Sequence, residues 1–410
     1  MLGKTFIYSI VTAAIMAGGG HVPRINVEAT VEKARPLFQK DTLTMCVMGD
    51  LMMHSKQLDV ARQADGTYDF SSYFKLIEDR ITAADLAIGN LEVTLAGKPY
   101  TGYPSFSAPE SFARYLAACG FDVFLCANNH ILDRGSRGAS LTMEKLHRLD
   151  TLNGVKFCGI ASSPKDRDNI LFIRRKGISV ALLNFTYGTN HDPDKEWPMV
   201  NRLDDTTHVK KMLERSQLAD FTIALPHWGI EYQLKPSSRQ KSMAQLFADN
   251  GADLIIGSHP HVLQGYEILR PGNVQVAYSL GNAVSNMSAK NTQLELLATV
   301  RIALEENGDM KLLPLKFTYL WCSRPGGFSD SYTVIPVKDY EGKADLWTDR
   351  SDYDNMMSTY KRVKDIINIE DEGGNRRTPT KECAWRVRPH LRLSQKDLKK
   401  SLDKQALIHI

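Results

Sequence analysis

The sequence predicts an α/β (α+β) fold from three observations. Short apolar runs alternate with longer amphipathic segments along most of the 410 residues, which is typical of strands and helices packed in layers. A hydrophobic content of 43% and a charged content of 24% are those of a soluble globular protein and exclude a mainly disordered or fibrous chain. Polar clusters follow five of the apolar runs, as expected where loops gather at the carboxyl edge of a sheet.

The apolar runs are the predicted strands, and the amphipathic segments between them are the predicted helices. The strands are Leu43 to Met48, Leu86 to Ile88, Val123 to Ala127, Val180 to Phe185, Phe221 to Leu225, Leu254 to Ile256 and Val274 to Ser279. The helices are Phe74 to Ala84, Pro109 to Cys119, Gly138 to Asp150, Thr206 to Gln217 and Ser237 to Asn250. Asp204 or Asp205 can cap the fourth helix, and Gly251 ends the fifth.

A further helix is predicted near the C-terminus, from Tyr353 to Ile369, because apolar residues recur there at helical spacing. Gly373 and Gly374 end this pattern. The polar and basic segment that follows is expected to be a loosely ordered arm. We therefore divide the chain into a main domain at 43–340 and a helical and basic extension at 341–410.

The charge of the extension differs from that of the rest of the chain. Residues 381–410 hold eight Lys or Arg against three Asp or Glu, whereas the other 380 residues hold 43 against 44. A nearly neutral body is not that of a nucleic-acid binder. The basic arm could contact a membrane surface or a polyanion, or it could be a solvated surface that aids solubility.

The first residues predict export from the cytoplasm. Lys4 precedes a mostly apolar stretch from Thr5 to Ala17, which is short for a membrane span but suits the core of a secretory signal. Residues 1–28 are therefore predicted to be a signal peptide or an uncleaved anchor, and the protein to be periplasmic or held at the membrane facing outward. A buried strand or helix is the alternative.

The six cysteines are expected to be buried thiols rather than a disulfide framework. Cys46, Cys126 and Cys158 lie inside apolar runs, and no Cys-x-x-Cys spacing occurs.

Five polar clusters carry the candidate chemistry. They are Gly49-Asp50 with His54, Gly89-Asn90-Leu91-Glu92, Asn128-Asn129-His130, His227-Trp228-Gly229 and Gly257-Ser258-His259-Pro260-His261. Taken singly, each has a structural alternative: a helix cap at Asp50, a surface carboxylate at Glu92, a tight turn at Asn128 to His130, a satisfied structural histidine at His227, or a solvent-exposed turn at His259 to His261. Taken together, they form an oxygen and nitrogen ligand set suited to Mn, Zn or Fe.

These clusters, with Tyr278-Ser279-Leu280-Gly281-Asn282, occur in an order that resembles the capsule-synthesis CapA family of the calcineurin-like metallophosphoesterase superfamily. The resemblance covers about residues 43 to 320. It implies a four-layer α-β-β-α sandwich with the site at one edge of the sheets. It also implies one or two divalent ions.

The resemblance assigns a role to each cluster. Asp50 and His261 would bind a first metal, and Asn129, His227 and His259 a second. His130 would stand beside the leaving group as a general acid or charge stabiliser. The chain departs from the superfamily in two places: the next histidine after Asp50 is His54, four residues later, and Asn90 replaces a bridging aspartate, with Glu92 two residues on.

Two functional classes follow from the resemblance. The first is a metal-dependent hydrolase of a phosphoester or of poly-γ-glutamate, which His130 favours. The second is a non-catalytic subunit of a capsule synthesis or export machine that holds the polymer, which Asn90 favours. Other capsule synthesis subunits are implied partners. An anionic polymer needs cations near the site, and the candidates are Arg134, Arg137, Lys235 and Arg239, although a solvated surface charge is the more common role for each taken singly.

Overall fold

The computed structural model describes residues 42–305 and 308–371, together with the backbone of the strand Val387–Pro389. The predicted signal or anchor at 1–28 lies outside the described residues, as does most of the basic arm. Among the described helices, none has the length and apolar character needed to cross a membrane.

The described segments form seventeen strands and eight α-helices. In chain order these are β1 (Thr42–Leu51), α1 (Ser55–Ala61), α2 (Glu78–Thr82), β2 (Leu86–Leu91), α3 (Glu110–Ala118), β3 (Val123–Leu125), α4 (Gly135–Asn153), β4 (Lys156–Cys158), β5 (Ile160–Ala161), β6 (Leu171–Arg175), β7 (Ile178–Thr186), β8 (Met199–Val200), α5 (Thr206–Ser216), β9 (Phe221–His227), α6 (Ser238–Asp249), β10 (Leu254–Ile256), β11 (Leu263–Leu269), β12 (Val274–Leu280), β13 (Leu294–Leu304), β14 (Asp309–Leu312), β15 (Lys316–Ser323), β16 (Thr333–Pro336), α7 (Val337–Tyr340), α8 (Arg350–Ile367) and β17 (Val387–Pro389).

Two large sheets contain most of the strands. The first has the order β16-β15-β13-β1-β2-β3-β4, with β14 paired to β13 and β17 paired to β14. The second has the order β11-β12-β10-β9-β7-β6. Strands β1 to β4 run parallel to one another, as do β7, β9, β10 and β12. Each parallel set therefore ends at one edge of its sheet.

The two sheets pack face to face, with helices outside. One apolar cluster joins residues of both sheets, such as Val47 and Ile88 of the first with Ile223 and Leu225 of the second. A second cluster joins the outer face of the first sheet to α1, α2, α3 and α4. A third joins the outer face of the second sheet to α5 and α6. This arrangement confirms the predicted four-layer α-β-β-α sandwich.

The C-terminal helix α8 packs against the core between the sheets. Its residues Tyr353, Met356, Tyr360 and Val363 belong to the same apolar cluster as both inner sheet faces. The helix ends at Ile367, earlier than predicted, because Asn368 takes the left-handed conformation (φ 53°) in which asparagine commonly stops a helix.

Two other predicted segments differ in the structure. The helix expected from Phe74 to Ala84 is reduced to α2, because the preceding residues form tighter turns and the Phe74 N–H donates to the Tyr115 hydroxyl. The arm after residue 380, expected to be loose, contributes β17, whose backbone pairs with the edge strand β14. The five described cysteines are free, and four are buried, as expected.

A close backbone contact joins the ends of the two sheets. The Asp50 N–H donates to the Gly281 carbonyl across 3.0 Å. A Cβ atom at Gly49 would lie 1.9 Å from that same carbonyl oxygen, so glycine is required there. The Gly49 N–H donates to the Glu295 carboxyl at 3.0 Å. This contact holds the end of β1 beside the segment that leaves β12.

Replacing Gly49 with Ala should lower the free energy of unfolding by about 2 to 3 kcal/mol, because the added methyl forces the two sheet ends apart. Gly188→Ala is the matched control, since a Cβ at Gly188 meets nothing within 4 Å. Urea denaturation of both variants measures the difference. Equal stability of the two variants would show that the contact does not constrain the fold.

Candidate metal centre

The ends of the parallel strands from both sheets meet at one edge of the sandwich. Asp50 and Asn90 are the next-to-last residues of β1 and β2, and His227 is the last residue of β9. Glu92 directly follows β2, and the loops after β3 and β10 add Asn129, His130, His259 and His261. The convergence expected for the five clusters is therefore present in the structure.

Glu92 lies at the centre of this edge. Its side chain is fully buried, and its Oε1 atom has no hydrogen-bond partner. Three imidazole Nε2 atoms surround Oε1, from His227 at 3.5 Å, His261 at 3.7 Å and His130 at 4.0 Å. A buried carboxylate oxygen among imidazole nitrogens is the environment of a cation, since such groups need a charged partner.

Two groups of three side chains could each hold a metal ion. One consists of Glu92, His259 and His261, and the other of Asp50, Glu92 and His227. Within each group, one ligand atom from each residue lies within 4.8 Å of the others. Glu92 is common to both groups, so it could serve as a ligand in either of them.

Asp50 is held by three neighbours. Asn90 Nδ2 donates to Oδ1 at 2.8 Å, and the His259 N–H donates to Oδ2 at 3.3 Å. His261 Nδ1 lies 3.2 Å from the same Oδ2. These contacts fix the carboxylate that the resemblance assigns to the first metal.

Asn90 takes part in the cluster mainly as a hydrogen-bond donor. Its amide nitrogen donates to Asp50 and, at 3.3 Å, to Glu92, while its oxygen accepts from Asn128 at 3.3 Å. The amide thus links the two buried carboxylates without adding charge. Its predicted role as a metal ligand stays a prediction.

The ligand histidines are oriented by polar neighbours. His227 Nδ1 lies 3.0 Å from the Ser258 hydroxyl, and its Nε2 lies 2.7 Å from Asn129 Oδ1. His261 Nδ1 lies 2.9 Å from Asn282 Oδ1, which leaves its Nε2 toward Glu92. Such partners fix the ring orientation and tautomer of metal-binding histidines.

The His259-Pro260-His261 turn has an unfavourable backbone. His259 and His261 have φ angles of 96° and 57°, in the left-handed region that side chains other than glycine rarely adopt. The buried His259 Nδ1 atom has no hydrogen-bond partner. Strain of this kind occurs most often at functional sites, where surrounding contacts hold it in place.

Burial controls the protonation of the centre. It raises the pKa of Glu92 well above its ordinary value, and the nearby Asp50 adds to this effect. Burial lowers the pKa of His227 to about 3 and lowers that of His259 well below its usual range. The two imidazoles are therefore neutral at physiological pH, which is the form that binds metal.

Asp50 and His261 behave as an ion pair. Burial opposes the ionisation of Asp50, but the hydrogen bond and charge of His261 outweigh it and hold the pKa of Asp50 below its usual range. Burial likewise opposes the charged imidazole of His261, yet Asp50 and Asn282 raise its pKa. A metal ion bound here would replace the proton of His261 as the counter-charge of Asp50.

His130 is positioned by a residue that the sequence did not single out. Its Nδ1 lies 2.8 Å from Asp133 Oδ2, and both side chains are buried. The same carboxyl oxygen accepts the Phe106 N–H at 2.8 Å. This pairing leaves His130 Nε2 facing Glu92 Oε1. In the sequence, only the position of Asp133 three residues after His130 could have indicated this pairing.

His54 lies beside the centre but in neither ligand group. It caps the N-terminus of α1, and its Nδ1 lies 3.2 Å from Gln57 Oε1 and accepts the Asn286 N–H at 3.3 Å. Its ring packs edge-on against Phe106, with centroids 5.1 Å apart. Its assignment as a ligand stays a prediction.

The predicted substrate-binding cations lie at the surface. The half-exposed Arg134 donates to the Pro99 carbonyl at 3.4 Å. Arg137, Lys235 and Arg239 are exposed, on α4, on the loop before α6 and in the first turn of α6. Their role toward a substrate stays a prediction.

Two further residues at the centre were missed. The Tyr187 ring lies 4.4 Å from that of His259, and Asn190 accepts from Asn129 Nδ2 at 3.3 Å. Both follow β7, a strand after which no polar cluster had been noted. The position of β7 among the parallel strands was the available signal, because its end also meets the site edge.

The fold and this centre define a four-layer α-β-β-α protein with a histidine-rich candidate metal site at the sheet edge. The chain belongs to the bacterial capsule synthesis protein PGA_cap family, which matches residues 44–287. The resemblance found in the sequence is thereby confirmed.

Individual relatives support the same family. The chain is 29% identical to the capsule biosynthesis protein CapA of Bacillus anthracis, over 72% of this chain and 71% of that protein. It is 26% identical to the PGA biosynthesis protein CapA of Bacillus subtilis, over 75% of this chain and 78% of that protein. Among solved structures, the NAD nucleotidase of Haemophilus influenzae is similar at 13% identity and a TM-score of 0.44, over 79% of this chain and 68% of that one.

Replacing His54 with Gln should weaken the acid sensitivity of the metal-free protein. Burial lowers the pKa of His54 to about 4, so the unfolded chain takes up a proton near pH 6.5 that the folded chain excludes. Stability therefore falls as the pH drops from about 6.5 to about 4 and levels off below. The variant should reduce this slope by up to about 1.4 kcal/mol per pH unit.

The measurement is the free energy of unfolding as a function of pH after treatment with a chelator. His147→Gln, which removes an imidazole from the surface, is the control. An unchanged slope in the His54 variant would contradict the buried, neutral state of this histidine.

Proposed function

We propose that this protein is a divalent-metal-dependent hydrolase of capsule metabolism, acting outside the cytoplasm on a phosphoester or on the γ-glutamyl bonds of poly-γ-glutamate. The observation that carries the proposal is Glu92, which is buried without a hydrogen-bond partner for Oε1 and is shared by both ligand groups. The apolar N-terminal stretch supports the proposed location, and the names of the capsule relatives support the proposed link to capsule metabolism.

The residues present fit a divalent ion. Glu92 Oε1 and His259 Nδ1 are buried polar atoms without partners, and each would gain one on binding a cation. Asp50, His227 and His261 complete a mixed carboxylate and imidazole set, which suits Mn, Zn or Fe. Because Glu92 is shared, the arrangement has room for one or two ions.

A bound divalent ion would lower the pKa of a coordinated water and polarise the bond to be cleaved. The protein's own contribution is to hold the ligands rigidly and to place His130 beside them. The Asp133 carboxylate accepts a hydrogen bond from His130 Nδ1–H. This leaves Nε2 as the ring nitrogen that faces the substrate space near Glu92. In its doubly protonated form, with Asp133 beside Nδ1 to balance the charge, His130 can donate its Nε2 proton to the leaving group or stabilise the charge of that group.

A non-catalytic polymer-binding or export subunit is the second candidate. Asn90 favours it, because its neutral amide replaces the carboxylate that would offset the repulsion between two ions. The membership of Glu92 in both ligand groups favours the enzyme, since this carboxylate can supply the negative charge that Asn90 lacks. Other capsule subunits and the membrane surface belong to the proposal as partners, with the chain's own basic arm as a proposed contact.

Replacing both His259 and His261 with Ala should lower the transition-metal content of the purified protein by at least the ion held by their group, because two of its three members are lost. Glu92→Gln, which keeps the size of the side chain but not its charge, should weaken metal binding at both positions. Elemental analysis after dialysis measures both effects. His147→Ala is the matched control, and a double variant that is folded and fully loaded with metal would refute the assignment.

Replacing His130 with Ala should reduce kcat for a generic phosphodiester, bis(4-nitrophenyl) phosphate, by roughly 10² to 10⁴, with metal content unchanged. Asp133→Asn should reduce it less and should displace the pH profile, because the tautomer of His130 is no longer fixed. Steady-state kinetics with the phosphodiester measures kcat and the pH profile of each variant, and the cleavage of poly-γ-glutamate is assayed in parallel. Wild-type protein that holds metal but cleaves neither substrate would favour the polymer-binding alternative.

A further inference from the structure

Two exposed aromatic side chains lie near the candidate metal centre. The Tyr232 ring lies 6.4 Å from that of His261 and is 43% exposed. Tyr103 is 72% exposed and lies 6.4 Å from Phe106, whose ring packs edge-on against His130 at 4.7 Å. His261 and His130 both approach Glu92, so the two tyrosines border the same centre.

Tyr232 is held at this border against its backbone preference. Its φ angle is 65°, which is uncommon for residues other than glycine and asparagine. Its N–H donates to the Pro260 carbonyl at 2.8 Å, directly between the two ligand histidines of the turn. The next part of the loop is fixed as well, since Gln264 Nε2 donates to the Gln233 carbonyl at 2.7 Å. Strain that persists beside a candidate centre points to a function of the strained residue.

The neighbouring residues of this loop show what the border can bind. Ile230 is 50% exposed and Glu231 is exposed, so the loop presents an apolar side chain, a carboxylate and an aromatic ring in succession. Glu231 and Tyr103 both raise the pKa of Tyr232, after the larger effect of its partial burial, which places all three close together. A carboxylate here repels anionic groups, so the tyrosines face an uncharged part of a ligand.

We propose that Tyr232 and Tyr103 determine substrate specificity by packing against the uncharged methylene and amide segments of an extended polymer that crosses the metal centre. This inference rests on the proposed function, because it takes the metal centre as the place where the substrate reacts or is held. A γ-glutamyl chain offers two methylenes and an amide between successive carboxylates. The carboxylates would turn away from Glu231, and one would reach the ions.

A compact ligand such as inorganic phosphate does not need this border. It is small enough to be held by bound ions alone, so its binding is expected not to need a ring at the edge of the site. The loss of an aromatic side chain should therefore affect a long polymer and leave the small anion unaffected. This selectivity separates a contact with substrate from damage to the centre.

The test compares Tyr232→Asn with wild type, since asparagine keeps the left-handed backbone but removes the ring. With added manganese, the affinity for poly-γ-glutamate should fall about tenfold, as expected for loss of an aromatic contact. The affinity for inorganic phosphate should stay within about twofold, and the metal content should be unchanged. Tyr232→Phe should bind the polymer as wild type does, and Tyr103→Ala should show the same selectivity as Tyr232→Asn.

Leu152→Asn is the control, because Leu152 is a 74% exposed apolar residue at the end of α4. Three results would overturn the inference: unchanged polymer affinity in Tyr232→Asn, an equal loss for polymer and phosphate, or no polymer binding by the wild type. None of them refutes the proposed metal-dependent hydrolysis, which is tested separately by metal content and phosphodiester turnover.

Discussion

The burial of Asp50 and Glu92 side by side is the constraint on which this structure depends. Two carboxylates without solvent repel each other and need positive charge or shared protons nearby. The Asn90 amide, three surrounding imidazoles and the raised pKa of Glu92 meet this need within the protein. A divalent ion would meet it more completely, and Glu92 Oε1, which has no hydrogen-bond partner of its own, is an atom available to such an ion.

The four-layer fold makes this burial possible. Both parallel strand sets end at one edge, so side chains from the two sheets reach a common point without a long loop. The contact between Asp50 N–H and the Gly281 carbonyl fixes the distance between the sheet ends. The core between the sheets, completed by α8, keeps this edge rigid. Precision of the centre therefore comes from packing far from it.

The layered fold and most of the centre could be predicted from the sequence, because a strand end fixes where the next polar residues lie. Asp133 could not, since its pairing with His130 depends on the turn between them. Strand β13 was missed because its leucine, glutamate and alanine residues suit a helix equally well. Its pairing with β1 decides the conformation. The aromatic border was missed because exposed tyrosines carry no periodic signal.

The central claim is that Glu92, the residue common to both candidate ligand groups, binds metal. Anomalous diffraction from crystals of the protein grown with manganese tests it most directly. We expect one or two anomalous peaks at the sheet edge, each within coordinating distance of Glu92, with His227 or His261 as a further ligand. Peaks that lie away from Glu92, or manganese held only by residues outside the two ligand groups, would contradict the account.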